Sequence, residues 1–354
     1  MTLFLLLSLI NTSFANDTAS MGTASNISFI KNNSVVIHKE TLTIGPMISD
    51  GAAHVPIKVE YLMENTSSKP EVVQMAFPVP GCNFYDFFLE TVYSRVTDAG
   101  SCTKRSKMEI HVDKKSVNEG SWVLKLSVDG KPFDETKLAK SSGLTAKGFS
   151  ELLTMMPDFP EESPEKDKQF DKEIANVCAK LGGKPDSENS YKCEAMKKIS
   201  AQYVYVWNHT FASKTKTEVT HDYDVESTWN KDWRDQFDDD VFCLNDPSVV
   251  KAWKRHDTIS APFTHHNYIG YILKTGANWA RPIENFELIL KKKDEKQLVS
   301  TCFDGLKKTG PLEFRATKKN FTPTKDLYVL FFYAKALGHW NNFNWVPSNS
   351  EKKK

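Results

Sequence analysis

The stretch Tyr268–Leu290, YIGYILKTGANWARPIENFELIL, holds two strand-like runs around a turn that contains Gly276, Asn278, Trp279, Arg281 and Pro282. In the second run Phe286, Leu288 and Leu290 alternate with Glu287 and Lys291, the two-residue period of a strand with one buried face. Ile289 interrupts the alternation. The turn is longer than a two-residue connection, so the reading is a central hairpin over 268–290 with an ordered loop at its tip. Trp279 is its natural anchor, because the ring buries a large area and the indole N–H seeks an acceptor. Two roles stay open. As a ligand platform, Trp279 would offer a stacking face, Arg281 an anion-binding fork and Asn278 a polar contact. As a structural loop, Trp279 would pin the turn to its own sheet.

Working outward, the clearest strand alternates Val55, Ile57, Val59, Tyr61 and Met63 with Lys58 and Glu60. Val35 with Ile37, and Leu42 with Ile44, read as opening strands before Gly45-Pro46. Val73, Met75 and Phe77 form a run that stops at Pro78-Val79-Pro80-Gly81. Met108, Ile110 and Val112, then Trp122, Leu124, Leu126 and Val128, continue the series to Asp129-Gly130. From Gln202 to Phe211 both faces are apolar, which places that strand inside a sheet. Repeated short strands with turn signals between them predict a mainly β fold with antiparallel sandwich-like regions, not βαβ units.

The period changes to helical at Phe149, Leu152, Leu153 and Met156 behind a Thr145 cap. It is helical again at Phe170, Ile174, Val177 and Leu181 before Gly182-Gly183. Residues 131–200 therefore read as a helical insertion between two β-regions, 16–130 and 201–335. A short helix is expected at Asn245–Arg255, with Asp246 as cap and Pro247 at its first position. The segment 336–354 reads as a polar tail without an element.

At the start, Leu3–Ile10 precedes Ser13-Phe14-Ala15, an apolar core followed by small residues. This predicts a signal peptide over 1–15 with cleavage after Ala15, although no Lys or Arg precedes the core. The core is too short to span a bilayer, so no stable membrane insertion is expected. Lys+Arg 46 against Asp+Glu 45 gives a net charge of +1, which leaves no electrostatic footprint for nucleic acid. Export permits disulfides, and six cysteines allow fifteen complete pairings. Cys243 and Cys302 bracket the central stretch, Cys178 and Cys193 can staple the insertion, and Cys82 with Cys102 completes the set.

Several short segments resemble the exported bacterial family known as domain of unknown function 4424, over roughly Asn16 to Phe332. They include Glu40-Thr41-Leu42, Phe77-Pro78-Val79-Pro80, Asp129-Gly130-Lys131-Pro132, Trp207-Asn208-His209-Thr210-Phe211 and His221-Asp222-Tyr223. The strongest are Phe242-Cys243-Leu244-Asn245, Thr275–Trp279, Val299-Ser300-Thr301-Cys302 and Asn320–Leu327. The resemblance implies an exported, β-rich envelope protein with no assigned catalytic residues. It also places cysteine at the positions of Cys243 and Cys302.

Catalytic motifs are missing: there is no Gly-x-Ser-x-Gly elbow, no His-Glu-x-x-His and no Walker loop. His265-His266 is the most suggestive pair, but neighbours on a strand point to opposite faces, which works against a shared metal. Asp238-Asp239-Asp240 lacks the regular spacing of a calcium loop. Trp229, Trp233 and Trp253 could form a stacking surface or pack beneath a loop. The expectation is a binding or scaffolding module with no cofactor or metal, acting on an envelope protein or glycan. The alternative is an envelope hydrolase around His265, His266 and the Asp238 to Asp240 loop.

Overall fold

Alternating patterns need sheets to bury them, and three sheets hold most of the described residues. The computed structural model describes residues 13–15, 18–21, 28–49, 53–84, 108–117, 120–145, 148, 172, 175–184, 193–226, 228–230, 239–256, 265–333, 338–341 and 344–347. The nine-stranded sheet runs β18 (Lys307–Gly310), β19 (Glu313–Phe321), β16 (Ile283–Lys291), β4 (Val35–Ile44), β6 (Ala53–Asn65), β13 (Lys216–Glu226), β8 (Met108–Val112) and β9 (Lys115–Ser116). In it β5 (Ile48–Ser49) also pairs with β6. The six-stranded sheet runs β11 (Lys131–Pro132), β10 (Ser121–Val128), β12 (Ser200–Phe211), β7 (Glu71–Asn83), β2 (Thr18–Met21) and β3 (Ser28–Ile30). The five-stranded sheet runs β1 (Ser13–Ala15), β15 (His265–Ile272), β20 (Leu327–Tyr333) and β17 (Leu298–Ser300), with β14 (Thr228–Asn230) also on β15. Pairing is antiparallel except for β1 on β15 and β16 on β4.

The fold is mainly β, as expected. On β6 the residues Val55, Ile57, Val59, Tyr61 and Met63 are buried while Lys58 and Glu60 are not, so the period of two becomes one inward face. The main core gathers Val59 and Tyr61 from the nine-stranded sheet, Met75, Phe77 and Trp207 from the six-stranded sheet, and Tyr271 and Val329 from the five-stranded sheet. Phe77 meets Tyr223 edge-on with ring centroids 5.1 Å apart, a contact between two sheet faces. At the register shift between Ile37 and Lys39, His38 places Nε2 2.7 Å from Glu64 and Nδ1 2.8 Å from Glu284, linking β4 to β6 and β16. Where β4 ends, Gly45 takes φ 88°, and a Cβ there would lie 2.5 Å from the Lys291 carbonyl oxygen at the end of β16.

The insertion carries a smaller core, in which Phe133, Ala139, Val177, Leu181 and Met196 pack with Leu124 and Leu126 of β10. Its helix Lys137–Ser142 is capped by Thr136, whose Oγ1 accepts from Ala139 N–H at 3.3 Å, and closed by Gly143 in the left-handed region. Residues 175–180 are helical, and the chain turns at Gly182 with φ 73°. Cys178 and Cys193 are disulfide-bonded within this core. Thr145 Oγ1 accepts from Gly148 N–H at 3.0 Å, as a cap would. Phe149–Met156, Phe170, Ile174 and Cys102 lie outside the described residues.

Four local expectations are revised. Residues 268–290 are not a hairpin: β15 pairs with β20 and β14, whereas β16 pairs with β19 and β4. The connection Leu273–Pro282 carries a 3₁₀ helix, Lys274–Asn278, and crosses from one sheet to another. The regions 16–130 and 201–335 do not own separate sheets, because β12 lies between β10 and β7, and β16 lies against β4. Such pairings are non-local, and periodicity reports a strand's faces without naming its neighbours. β7 runs through Pro78 to Asn83 because β12 bulges opposite, between Gln202 and Val204, and Gln202 Nε2 donates to Val79 O at 2.9 Å. Within 336–354, β21 (Gly338–Asn341) and β22 (Asn344–Pro347) pair, with Trp340 opposite Trp345.

Candidate functional site

The crossover turn is built into the core. Trp279 is 1% exposed within the main cluster, so its ring presents no face to solvent and its place is that of an anchor. Asn278 Nδ2 donates to Thr18 Oγ1 at 2.9 Å, and its carbonyl accepts from Asn32 N–H at 2.7 Å. Ala280 N–H donates to the Val35 carbonyl at 3.1 Å, so the turn is sewn to the N-terminal strands. Arg281 is exposed. These three side chains therefore do not converge on one surface.

A cleft opens beside the turn instead. Three segments that switch between the five-stranded and nine-stranded sheets meet here: the exit from β15, the link from β17 to β18, and the link from β19 to β20. Where strands part to join different sheets their side-chain rows diverge, and the gap has a volume of about 520 Å³. That falls within the usual range of small-molecule sites. Leu273, Leu327, Tyr328, Phe303 and Phe321 supply apolar wall, and Cys302 of the Cys243–Cys302 disulfide completes it. Phe286 braces that wall from β16, with centroids 4.9 Å from Phe321 and 5.7 Å from Phe303.

Polar groups ring the mouth. Lys274 Nζ lies 2.9 Å from Asp326, whose other carboxylate oxygen accepts from the Lys274 backbone N–H at 3.2 Å. Lys318 Nζ lies 2.7 Å from Asp304 and 5.7 Å from the Phe303 ring centroid. That hydrogen bond holds the Asp304 carboxyl below the usual carboxylate range. Thr301 Oγ1 accepts from Phe303 N–H at 3.3 Å and shapes the link after β17. Lys325 is exposed at the mouth and makes no ion pair among the described residues. No histidine lines the cleft among the described residues.

The disulfide ties the cleft to the helices before β15. Cys243 sits in the left-handed region at φ 52°, and Asp246 N–H donates to its carbonyl at 3.0 Å. Asp246 then caps the helix Pro247–His256 by accepting from Ser248 N–H at 2.8 Å. Those bonds from Ser248 hold the Asp246 carboxyl low. Buried Ser300 donates to the Phe242 carbonyl at 2.6 Å, so both ends of the bridge are fixed from below.

Other expected positions are scattered. His265 and His266 open β15, with backbone partners Tyr333 and Phe332, and Asp239 and Asp240 begin the helix Asp239–Phe242. Trp229 lies on β14 and Trp253 in the helix Pro247–His256. The side chains of these six residues, and Asp238 and Trp233 entirely, lie outside what is described. Among the described residues no group of three or more His, Cys, Asp or Glu is placed to hold a metal ion. Cys82 is disulfide-bonded.

Sequence reasoning missed a polar layer inside the main core. Buried His221 stands among Phe77, Trp207 and Tyr61, with centroid distances of 5.5, 5.2 and 6.0 Å. Buried Glu40, Tyr223 and Tyr271 belong to the same interior. Burial, then Tyr61, Tyr223 and Glu40, push the Tyr271 hydroxyl well above its ordinary range. On their strands these residues share the inward face with apolar ones, Glu40 with Leu42 and Ile44, and His221 and Tyr223 with Val219 and Val225, which is how core residues also read.

A family model described as domain of unknown function (DUF4424) matches residues 15–330. Among curated proteins, none matches the chain. A Legionella pneumophila protein of solved structure, provisionally named nutrient-binding, is 12% identical with a TM-score of 0.45, over 90% of this chain and 70% of that one. An M1 zinc metallopeptidase of Deinococcus radiodurans is 8% identical with a TM-score of 0.26, over 86% of this chain and 44% of the peptidase. Neither likeness is close enough to carry chemistry across.

Proposed function

Because this chain belongs to the family described as domain of unknown function (DUF4424), we propose that it is an exported binding module of the cell envelope whose ligand seat is the cleft beside the Cys243–Cys302 disulfide. The observation that carries this reading is convergence. Of the segments that most resemble the family, Val299–Cys302 lines the cleft through Thr301 and Cys302 and Asn320–Leu327 through Phe321 and its last four residues, while Phe242–Asn245 and Thr275–Trp279 begin one residue after the lining residues Val241 and Lys274.

Binding, not catalysis, fits the chemistry of the wall. Its two aspartates are engaged by lysines, which leaves neither as a ready general base. The Cys178–Cys193 and Cys243–Cys302 disulfides support the compartment. The occupant belongs to an envelope protein or glycan, or is a smaller molecule carried with them.

Thr324 is exposed at the mouth, so Thr324→Trp obstructs the cleft without removing core packing. Native mass spectrometry of protein taken from its own envelope should show a bound species that is lost in Thr324→Trp at an unchanged melting temperature. A bound species retained in full by the variant would remove the cleft from consideration. The same spectra read the N-terminus, which the export reading places at Asn16.

A further inference from the structure

We infer that the cleft selects an amphiphilic anion: a hydrocarbon or aromatic group seated on the Phe303, Phe321 and Leu327 wall, with a carboxylate or sulfonate held at Lys325. This rests on the reading of the cleft as the ligand seat. The argument is one of charge accounting at the mouth. Lys274 and Lys318 are each matched by a carboxylate at 2.9 and 2.7 Å, whereas Lys325 has no such match among the described residues. An entering anion therefore finds one cation that gives up no protein partner to meet it. A cation finds only carboxylates already engaged. A neutral, fully polar ligand leaves the aromatic wall without a partner, because Phe303 and Phe321 carry no hydrogen-bonding side-chain atoms.

The position of Lys325 fixes the orientation. It lies in the link between β19 and β20, between Phe321 and Leu327, which both line the apolar wall. The charge therefore stands at the rim, with the apolar surface below it. A ligand with one charged end and one apolar end meets both at once, and its charged end stays near water, where desolvation costs least.

The test uses two fluorescent probes on the full chain, the aromatic sulfonate 1-anilinonaphthalene-8-sulfonate and the uncharged N-phenyl-1-naphthylamine. The sulfonate should bind at one site per chain and be displaced by sodium octanoate but not by 1-octanol at the same concentration. Lys325→Gln should weaken the sulfonate about tenfold and leave the neutral probe unchanged. Lys115→Gln, which removes an exposed charge on β9 outside the cleft, should leave both unchanged. Thr324→Trp should block both probes. If the neutral probe is blocked by Thr324→Trp but Lys325→Gln leaves the sulfonate unaffected, or octanol displaces it as well as octanoate, the anion selection is wrong and the seat stands. If neither probe binds, or Thr324→Trp blocks neither, the cleft is not the seat and both proposals fall.

Discussion

Replacing Trp279 with alanine tests whether the crossover turn is an anchor. A tryptophan side chain buries about 150–250 Å², and at about 25 cal/mol per Å² its removal from a site only 1% exposed forfeits roughly 4–6 kcal/mol. Measured truncations of buried aromatics fall at about 3–5 kcal/mol, so about 4 kcal/mol is expected. With an unfolding entropy of about 2.1 cal/mol/K per residue over 354 residues, that lowers the melting temperature by roughly 5 °C. Equilibrium unfolding in urea measures the loss directly, with an unchanged slope as the sign that only stability moved. Arg281→Ala, made in parallel at an exposed position, should stay within about 0.5 kcal/mol of the parent. A Trp279→Ala loss below about 1 kcal/mol would refute the burial argument, because no large cavity could then have formed.

Removing the Cys243–Cys302 bridge by a double alanine substitution should destabilise by about 4 kcal/mol, since it closes a loop with a separation of 59 residues; non-reducing peptide mapping of the parent must show this pair, and free thiols at both positions would reject it. The bonds from Glu284, and then Glu64, raise the His38 pKa above its ordinary 6.5, so the stabilisation by His38 is fully present below about pH 6.5 and is lost as pH rises through the folded value. His38→Gln should therefore differ most from the parent near pH 6 and least above pH 8 in urea melts; a gap that widens with pH would contradict this. Gly45→Ala should destabilise by about 2 kcal/mol or more, because it joins a left-handed φ to a backbone clash with Lys291; a neutral result in thermal melts would show that the ends of β4 and β16 can separate freely.

How far each part was legible in the sequence follows from how local its cause is. The faces of β6 could be read because alternation is written residue by residue, and the central position of β12 because both its faces are apolar. The Asp246 cap was readable for the same reason. The hairpin was not, because Ile272 and Ile283 look like ends of facing strands until their partners, Ala15 beside Ile272 and Phe321 opposite Ile283, are known. Asn278 carries a polar contact as its type suggested, but spends it on Thr18. The cleft was illegible for a stronger reason: Lys274, Thr301 and Lys325 share no motif, and only the switching of strands between sheets brings them together.

The parallel pairing of β16 with β4 also governs how the chain can reach this state. Glu284 and His38 meet across a separation of 246 residues, so β4 waits with one edge unpaired until β16 has been made. Until then the first half of the nine-stranded sheet exposes open backbone groups that other chains can pair with. High contact order of this kind slows folding, because loop closure precedes any gain from the contact. This edge of a newly made chain thus stays open until Ile283–Lys291 exists, and shortened versions that stop before Ile283 should aggregate instead of folding as a smaller sandwich.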